Sequence, residues 1–284
     1  MTTDVFKINK NKIQKLKEVL LQDPNATLIE SLNKYEDFRI KYKEGIVVGY
    51  SSGKIVTNNS IVAKYVGNTI EWIETEEKDY SIMIGSDEAG KGEWLGPITI
   101  SAVALSPEQS GFLMSNGVMD SKLLHVTKII ELAKIISMNC LSLKVLHISP
   151  LRFNQLIQEV RDEGKTLNDM LAWAHATVIE NAYDEIKNQP ISNKIRVVID
   201  EFDKIKTEKR LWRIQKMSNI SVEQRPTAEE EIAVAAAGII VRAKWEEEVD
   251  KETRRLKIDL RSLSPIEAKQ HPDSRLFAKI SFLH

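Results

Sequence analysis

Ile84-Gly85-Ser86-Asp87-Glu88-Ala89-Gly90-Lys91-Gly92-Glu93-Trp94-Leu95-Gly96-Pro97 places two adjacent carboxylates where an apolar strand, Ser81-Ile82-Met83-Ile84, gives way to three closely spaced glycines. Carboxylates are hard oxygen ligands suited to divalent metal. Glycines let backbone N–H and C=O groups approach a ligand that a side chain would push away. Together they point to a metal site facing a phosphate-bearing substrate.

Working outward, the 284 residues suffice for one large domain or two ordinary ones. An apolar share of 42% supports a packed core and excludes a mostly disordered chain. One cysteine, Cys140, forbids an internal disulfide and fits a reducing compartment. No apolar run reaches the roughly 20 residues that span a bilayer. The first residues lack the layout of a signal peptide. The expectation is a soluble, cytoplasmic protein with no membrane partner. A net charge of −1 neither supports nor defeats nucleic-acid binding, because a metal site that acts on phosphates concentrates acids at its centre.

Two segments are expected, 1–78 and 79–284. In the first, Ile13, Leu16, Val19 and Leu20 recur at helical spacing. Phe38, Ile40 and Tyr42 then alternate with Arg39, Lys41 and Lys43 in a strand pattern, and a hairpin follows around Ser51-Ser52-Gly53. The acidic stretch Glu74 to Asp79 reads as a linker. The second segment opens with strands over 81–87 and 98–105. A helix carrying Ile129, Leu132 and Ile136 comes next, then a strand over 141–148 and helices over 151–160 and 167–187. A buried strand, Ile195 to Ile199, ends at Asp200-Glu201, and a long helix begins near Thr227. Strands first, then strands alternating with helices, predict an α/β fold with a mixed sheet covered by helices.

The Asp87-Glu88 run with Gly90, Gly92, Gly96 and Pro97 resembles the signature of the type 2 ribonuclease H group, and within it ribonuclease HIII. Asp120-Ser121-Lys122 is similar to that group's DSK element. Pro150 with Phe153-Asn154, and Leu167-Asn168 leading to Trp173-Ala174-His175, resemble its helical stretch. Ala233 to Ile240 looks like its alanine-rich helix, with Gly238 where serine is usual. Phe38 through Ser60 resembles the family's N-terminal domain, whose fold is like that of the TATA-binding protein. The resemblance implies a ribonuclease H-like mixed sheet preceded by a small α+β domain. It also implies an endoribonuclease that cuts the RNA strand of RNA/DNA hybrids, using two Mg2+ or Mn2+ ions and leaving 5′-phosphate and 3′-hydroxyl ends.

Two divalent ions about 4 Å apart activate a water and stabilise the leaving oxygen, so the chemistry needs acids delivered to one point. Asp87 and Glu88 are the first two. They point to opposite faces of a regular strand, so a turn at Gly90 and Gly92 is expected to bring both to one site. Asp200 emerges at the end of the strand closed by Val197-Val198-Ile199. In the family a fourth acid precedes the alanine-rich helix. A gapless match falls on Ala228, and a one-residue deletion puts Glu229 there. Glu230 is assigned instead to a capping box with Thr227. The resemblance implies that Gly90, Lys91 and Gly92 meet 2′-hydroxyls and phosphate, with Ser121 and Lys122 assisting, while Asp120 caps a helix.

His175 reads as a structural histidine rather than a general base, and Trp94 and Trp173 as core residues. The Lys251–Arg261 charges read as a solvated helix face. In the first segment a sheet face with Arg39, Lys41, Lys43 and Lys54, near Phe38, Tyr42 and Tyr50, suits nonspecific duplex binding. A monomer is expected. Two other readings stay open: a hybrid-binding protein that lost catalysis, and a ribonuclease HII-like enzyme that cuts at single embedded ribonucleotides.

Overall fold

Alternating burial along Glu36–Tyr42 organises the first unit of the computed structural model, which describes residues 4–75, 81–188, 194–200, 219–225 and 227–283. Strands β1 (Asp4–Lys7), β2 (Ala26–Ile29), β3 (Glu36–Tyr42), β4 (Gly45–Tyr50) and β5 (Lys54–Thr57) form an antiparallel sheet in the order β1-β5-β4-β3-β2. Phe38, Ile40 and Tyr42 are buried with Leu16 and Leu20 of α1 (Ile13–Leu21) and with Val62, Val66, Ile70 and Ile73 of α2 (Ser60–Thr75). Gly49 is required opposite Phe38, because a Cβ there would stand 2.3 Å from the ring.

The aromatic part of the expected binding face is corrected by this packing. Phe38 and Tyr42 lie in the core, and Tyr42 stacks on Tyr65 and donates to Asp23 at 2.7 Å. Lys43 sits at φ 51°, outside the strand. Arg39 and Lys41 do occupy the opposite face. The expected linker overlaps the end of α2, and residues 76–80, where the 78/79 boundary falls, lie outside those described. Helix α3 (Pro107–Ser115), from within the expected second segment, groups with the first unit. There a Cβ on its Gly111 would stand 3.5 Å from Trp72.

The second unit comprises 81–106 and 118–284. Its sheet contains β6 (Ile82–Ala89), β7 (Ile98–Leu105), β8 (Ser142–Ile148), β9 (Ile195–Asp200) and β10 (Ile220–Arg225), in the order β10-β9-β6-β7-β8. β6 runs antiparallel to β7 and parallel to β9, and β9 runs parallel to β10. All eight residues of β7 are buried, the pattern of a strand covered on both faces. One cover is α5 (Pro150–Asp162) with α6 (Leu167–Ile186), packed on Ile82, Ile84, Ile100, Val197 and Ile199.

The other cover is α7 (Ile232–Leu256), flanked by α4 (Val126–Met138). Its alanine-rich start is explained by proximity: a Cβ on Gly85 of β6 would stand 2.1 Å from the Ala233 carbonyl carbon. Only small residues allow helix and strand backbones to approach this closely. The long helix therefore starts at Ile232, five residues later than its sequence suggests, after a 3-10 turn over Ala228–Glu230. Thr227 takes φ 58° and its side chain makes no cap to that turn, so the expected Thr227–Glu230 capping box is not formed.

Candidate functional site

Strand register decides where the acids go. β6 keeps its ladder through Ala89, paired with Thr99, so the chain does not turn at the acids as expected. Asp87 therefore shares the face of Met83 and Gly85, towards α7, and Glu88 shares the face of Ile84 and Ser86, towards α6. Ile199 of β9 is opposite Ser86. Asp200 thus comes out beside Asp87, on the same face and at the same end of two parallel neighbours. Parallel strands lie about 4.8 Å apart. The turn before α7 adds Glu229 on that side, with the Ala228 N–H donating to Asp200 Oδ1 at 3.4 Å.

The α7 face makes room for this group. A Cβ on Gly238 would stand 2.6 Å from Asp87 Oδ2 and 3.5 Å from Ser121 Oγ, so glycine leaves space that the carboxylate fills. Asp120 caps the short turn carrying Ser121 and Lys122, accepting from the Lys122 N–H at 3.0 Å as expected. Lys122 then reaches Glu229 Oε1 at 3.2 Å.

Glu88 is held from the other side. His175 is fully buried on α6, with Nε2 3.1 Å from Glu88 Oε2 and Nδ1 2.8 Å from Ser86 Oγ. The Ser86 hydroxyl donates to the Ser101 carbonyl at 2.7 Å, so it accepts from Nδ1–H. Lys91 adds an ion pair to Glu88 Oε1 at 3.4 Å. His175 is thus structural, as expected, but the structure it maintains is the orientation of Glu88.

These contacts divide the acids electrostatically. Burial, then the adjacent Glu88 charge, pushes Asp87 well above the usual carboxylate range. Burial, then Glu229, raises Asp200. Burial would also raise Glu88, but His175 and Lys91 outweigh it and the carboxyl falls below its usual value. Glu229 is likewise lowered against burial, by a backbone N–H, by Lys122 and by a hydrogen bond from Asp200. Carboxylates crowded so that some resist ionisation form a site that gains from a cation. Among the described residues, no three His, Cys, Asp or Glu side chains already stand in an arrangement that holds a metal ion. The donor set is nevertheless hard oxygen throughout, which suits Mg2+ or Mn2+ and not zinc.

The glycine loop follows directly. Gly90 takes φ 87° and a Cβ there would stand 2.0 Å from the Pro97 carbonyl oxygen. Gly96 takes φ 74° and packs on Trp245 and Val249 of α7. Gly92 has open space around it, leaving the tip of the loop accessible beside Glu88. Trp94 is partly buried against the cluster of Leu95, Trp245 and Phe277. Trp173 is 49% exposed, which corrects its assignment to the core. Glu201 lies outside the described residues. His175, Gly238 and Lys279 enter the site's framework through contacts between residues distant in sequence. The Trp173-Ala174-His175 run and Gly238 in the alanine-rich helix signal the first two through the family resemblance, whereas the sequence reading passes over Lys279.

A family model described as Ribonuclease HII matches residues 84–276, which contain Asp87, Glu88, Asp200 and Glu229. Ribonuclease HIII of Protochlamydia amoebophila is 30% identical over 256 residues, covering 87% of this chain and 81% of that protein. Ribonuclease HIII of Chlamydia pneumoniae is 32% identical over 216 residues, covering 73% and 69%. The crystal structure of Bst-RNase HIII in complex with Mn2+ is 21% identical, with a TM-score of 0.60 over 99% of this chain and 96% of that one. Aquifex aeolicus RNase H3 gives 0.56 at 21% identity over 98% and 100%. Both share the fold. From the acids on β6 and β9, the alanine-rich helix and relatives that span both units, the chain belongs to the ribonuclease HIII family.

Proposed function

We propose that this ribonuclease H cuts the RNA strand of RNA/DNA hybrids at the end of β6, with Asp87, Glu88, Asp200 and Glu229 holding two Mg2+ or Mn2+ ions. The observation that carries this reading is the emergence of Asp87 and Asp200 on one face, each one residue past the Ser86–Ile199 register pair of adjacent parallel strands, with Glu229 beside Asp200. When bound, the ions activate the attacking water and stabilise the leaving 3′ oxygen, giving 5′-phosphate and 3′-hydroxyl ends. The chain's own part is orientation. His175 and Lys91 fix the Glu88 carboxylate, Gly238 leaves Asp87 its place, and Lys122 provides an ammonium that can exchange Glu229 for a substrate phosphate. The Gly90–Gly92 backbone faces the 2′-hydroxyls, the group by which RNA differs locally from DNA.

The open face of the first sheet serves duplex binding. Register aligns Val5, Val56, Val48, Arg39 and Ile29 across its five strands, with Lys7 and Lys54 to one side and Lys41 to the other. Such a face grips a backbone through charge, independently of sequence. All four acids come from one chain, and we propose that it acts as a monomer in the cytoplasm. No described helix is long and apolar enough to cross a membrane.

The test is cleavage of a labelled hybrid with Mg2+ or Mn2+, beside a DNA duplex carrying one ribonucleotide. The expected result is cutting of the full hybrid, lost in Asp87→Asn and Asp200→Asn. Equal cutting at the single ribonucleotide would move the enzyme to the ribonuclease HII type of specificity. No metal-dependent cutting of either substrate would overturn the reading.

A further inference from the structure

The most unusual buried charge in the second unit lies outside the acid cluster. Lys279, near the C-terminus, is 0% exposed, yet among the described residues its Nζ forms no ion pair with a carboxylate. It donates to three consecutive carbonyls, those of Leu95 at 3.2 Å, Gly96, and Pro97 at 3.3 Å. Three acceptors match the three N–H donors of an ammonium, whereas a neutral amine has two. A buried ammonium is expensive unless its donors are all met, so this side chain commits the carbonyls of 95–97 to a common point.

Those carbonyls close the glycine loop. The Pro97 oxygen that receives Lys279 is also the atom against which Gly90 is packed, leaving no room for a Cβ. The backbone repeats the tie: the Lys279 N–H donates to the Trp94 carbonyl at 2.7 Å, and the Gly96 N–H to the Phe277 carbonyl at 2.8 Å. Leu95 and Ala278 form an isolated bridge. Asn154 of α5 secures the C-terminal segment in turn, donating to the Ala278 carbonyl and accepting from the Ile280 N–H, both at 2.9 Å. A chain of contacts thus runs from α5 through Lys279 and Pro97 to Gly90.

We infer that Lys279 is a positioning residue for substrate: its Nζ, bonded to three consecutive carbonyls, holds the 90–97 loop in the shape that receives the RNA strand. Lys279 touches no substrate itself. It lowers the cost of binding by keeping the loop ordered beforehand, since ordering a loop on binding reduces affinity. The inference rests on the reading above that Gly90–Gly92 face the RNA strand.

The test combines hydrogen exchange on the free protein with steady-state cleavage of a hybrid, comparing wild type with Lys279→Met, which keeps the stem and removes the donors. The expected result is faster exchange of the 90–97 amides without change in β7, a KM for hybrid raised at least fivefold, and kcat within a factor of two. Lys279→Arg, which keeps charge and donors, should restore KM to within threefold of wild type. Lys279→Gln, with two N–H donors on a shorter stem, replaces the methionine variant if that fails to fold. Unchanged exchange in 90–97 overturns the positioning role. Loosened exchange with unchanged KM overturns the link to substrate, as does a fall in kcat at constant KM. A wild-type protein that cuts no hybrid instead removes the reading on which the inference rests.

Discussion

Gly238 and Asp87 share a space that holds only one of their side chains: a Cβ on the glycine would stand 2.6 Å from Asp87 Oδ2. Real Cβ atoms do not come so close, so the Asp87 carboxylate must shift from its present position to admit one. Gly238→Ala is therefore expected to lower kcat about tenfold, as misplacement by a fraction of an ångström does, while the protein stays folded. Cleavage of hybrid and a thermal melt measured together check this. Wild-type kcat in the variant would mean that the Asp87 orientation seen here is not the working one.

His175 carries a second prediction. Its removal leaves the Ser86 oxygen without the Nδ1–H donor and Glu88 without Nε2. Each buried polar group left unmet costs about 1–3 kcal/mol, so His175→Ala should lower the melting temperature. It should also reduce kcat, because among the described residues Glu88 then keeps only Lys91 to orient its carboxylate. Circular dichroism melts read the first effect and cleavage rates the second. A destabilised variant with unchanged kcat would reduce His175 to packing.

Lys279 makes stability depend on pH. Burial pushes its ammonium down to about 7, with the Glu93 charge opposing, against about 10.4 for an unfolded lysine. Between those values the unfolded chain binds more protons than the folded one, so stability rises with pH across the window from about 7 to 10. Below about 7 both states are protonated and this contribution is flat. The slope is at most about 1.4 kcal/mol per pH unit. Denaturant midpoints from pH 6 to 10 should rise in wild type more steeply than in Lys279→Met, and parallel curves would contradict the assignment.

The same residues show how far sequence can be followed. The glycine run, the paired acids and Asp200 are legible because they are local signals: a strand end, a turn and a buried apolar run. Alternation already implies that Asp87 and Glu88 face opposite ways, and the structure keeps that geometry instead of breaking the strand. Spacing alone does not say that α6 and α7 each take one of the acids. The His175–Glu88 and Lys279–Leu95 contacts join residues 87 and 184 positions apart. The grouping of α3 with the first unit is equally nonlocal, since its sequence lacks a clear apolar stripe. The buried rings of Phe38 and Tyr42 are hard to place for the opposite reason. Their period is plain, but the two faces of a sheet look alike until a helix covers one.

The open face of the first sheet yields a salt-dependent prediction. Arg39 is largely covered and paired with Glu36 at 2.7 Å, whereas Lys41 and Lys54 are exposed. Lys41→Glu and Lys54→Glu should therefore weaken hybrid binding at low salt more than Arg39→Lys does. Each phosphate that a variant no longer neutralises should flatten the plot of log affinity against log salt by about one unit of slope. Fluorescence anisotropy from 50 to 300 mM salt measures it. An unchanged slope in the double variant would remove this face from the substrate path.

Divalent metal supplies the last test, through stability rather than turnover. Asp87 and Asp200 are raised by burial and by neighbouring carboxylates, so the folded chain carries repulsion that a bound cation relieves. A ligand that binds only the folded state at 100 times its Kd stabilises by about 2.7 kcal/mol. Mg2+ or Mn2+ at millimolar concentration should thus raise the melting temperature by several degrees, and chelation should reverse it. Asp87→Asn and Asp200→Asn remove part of the repulsion, so each should be more stable than wild type without metal and gain less when it is added. That crossed pattern separates a metal site from a set of surface acids, which would show neither the gain nor its loss.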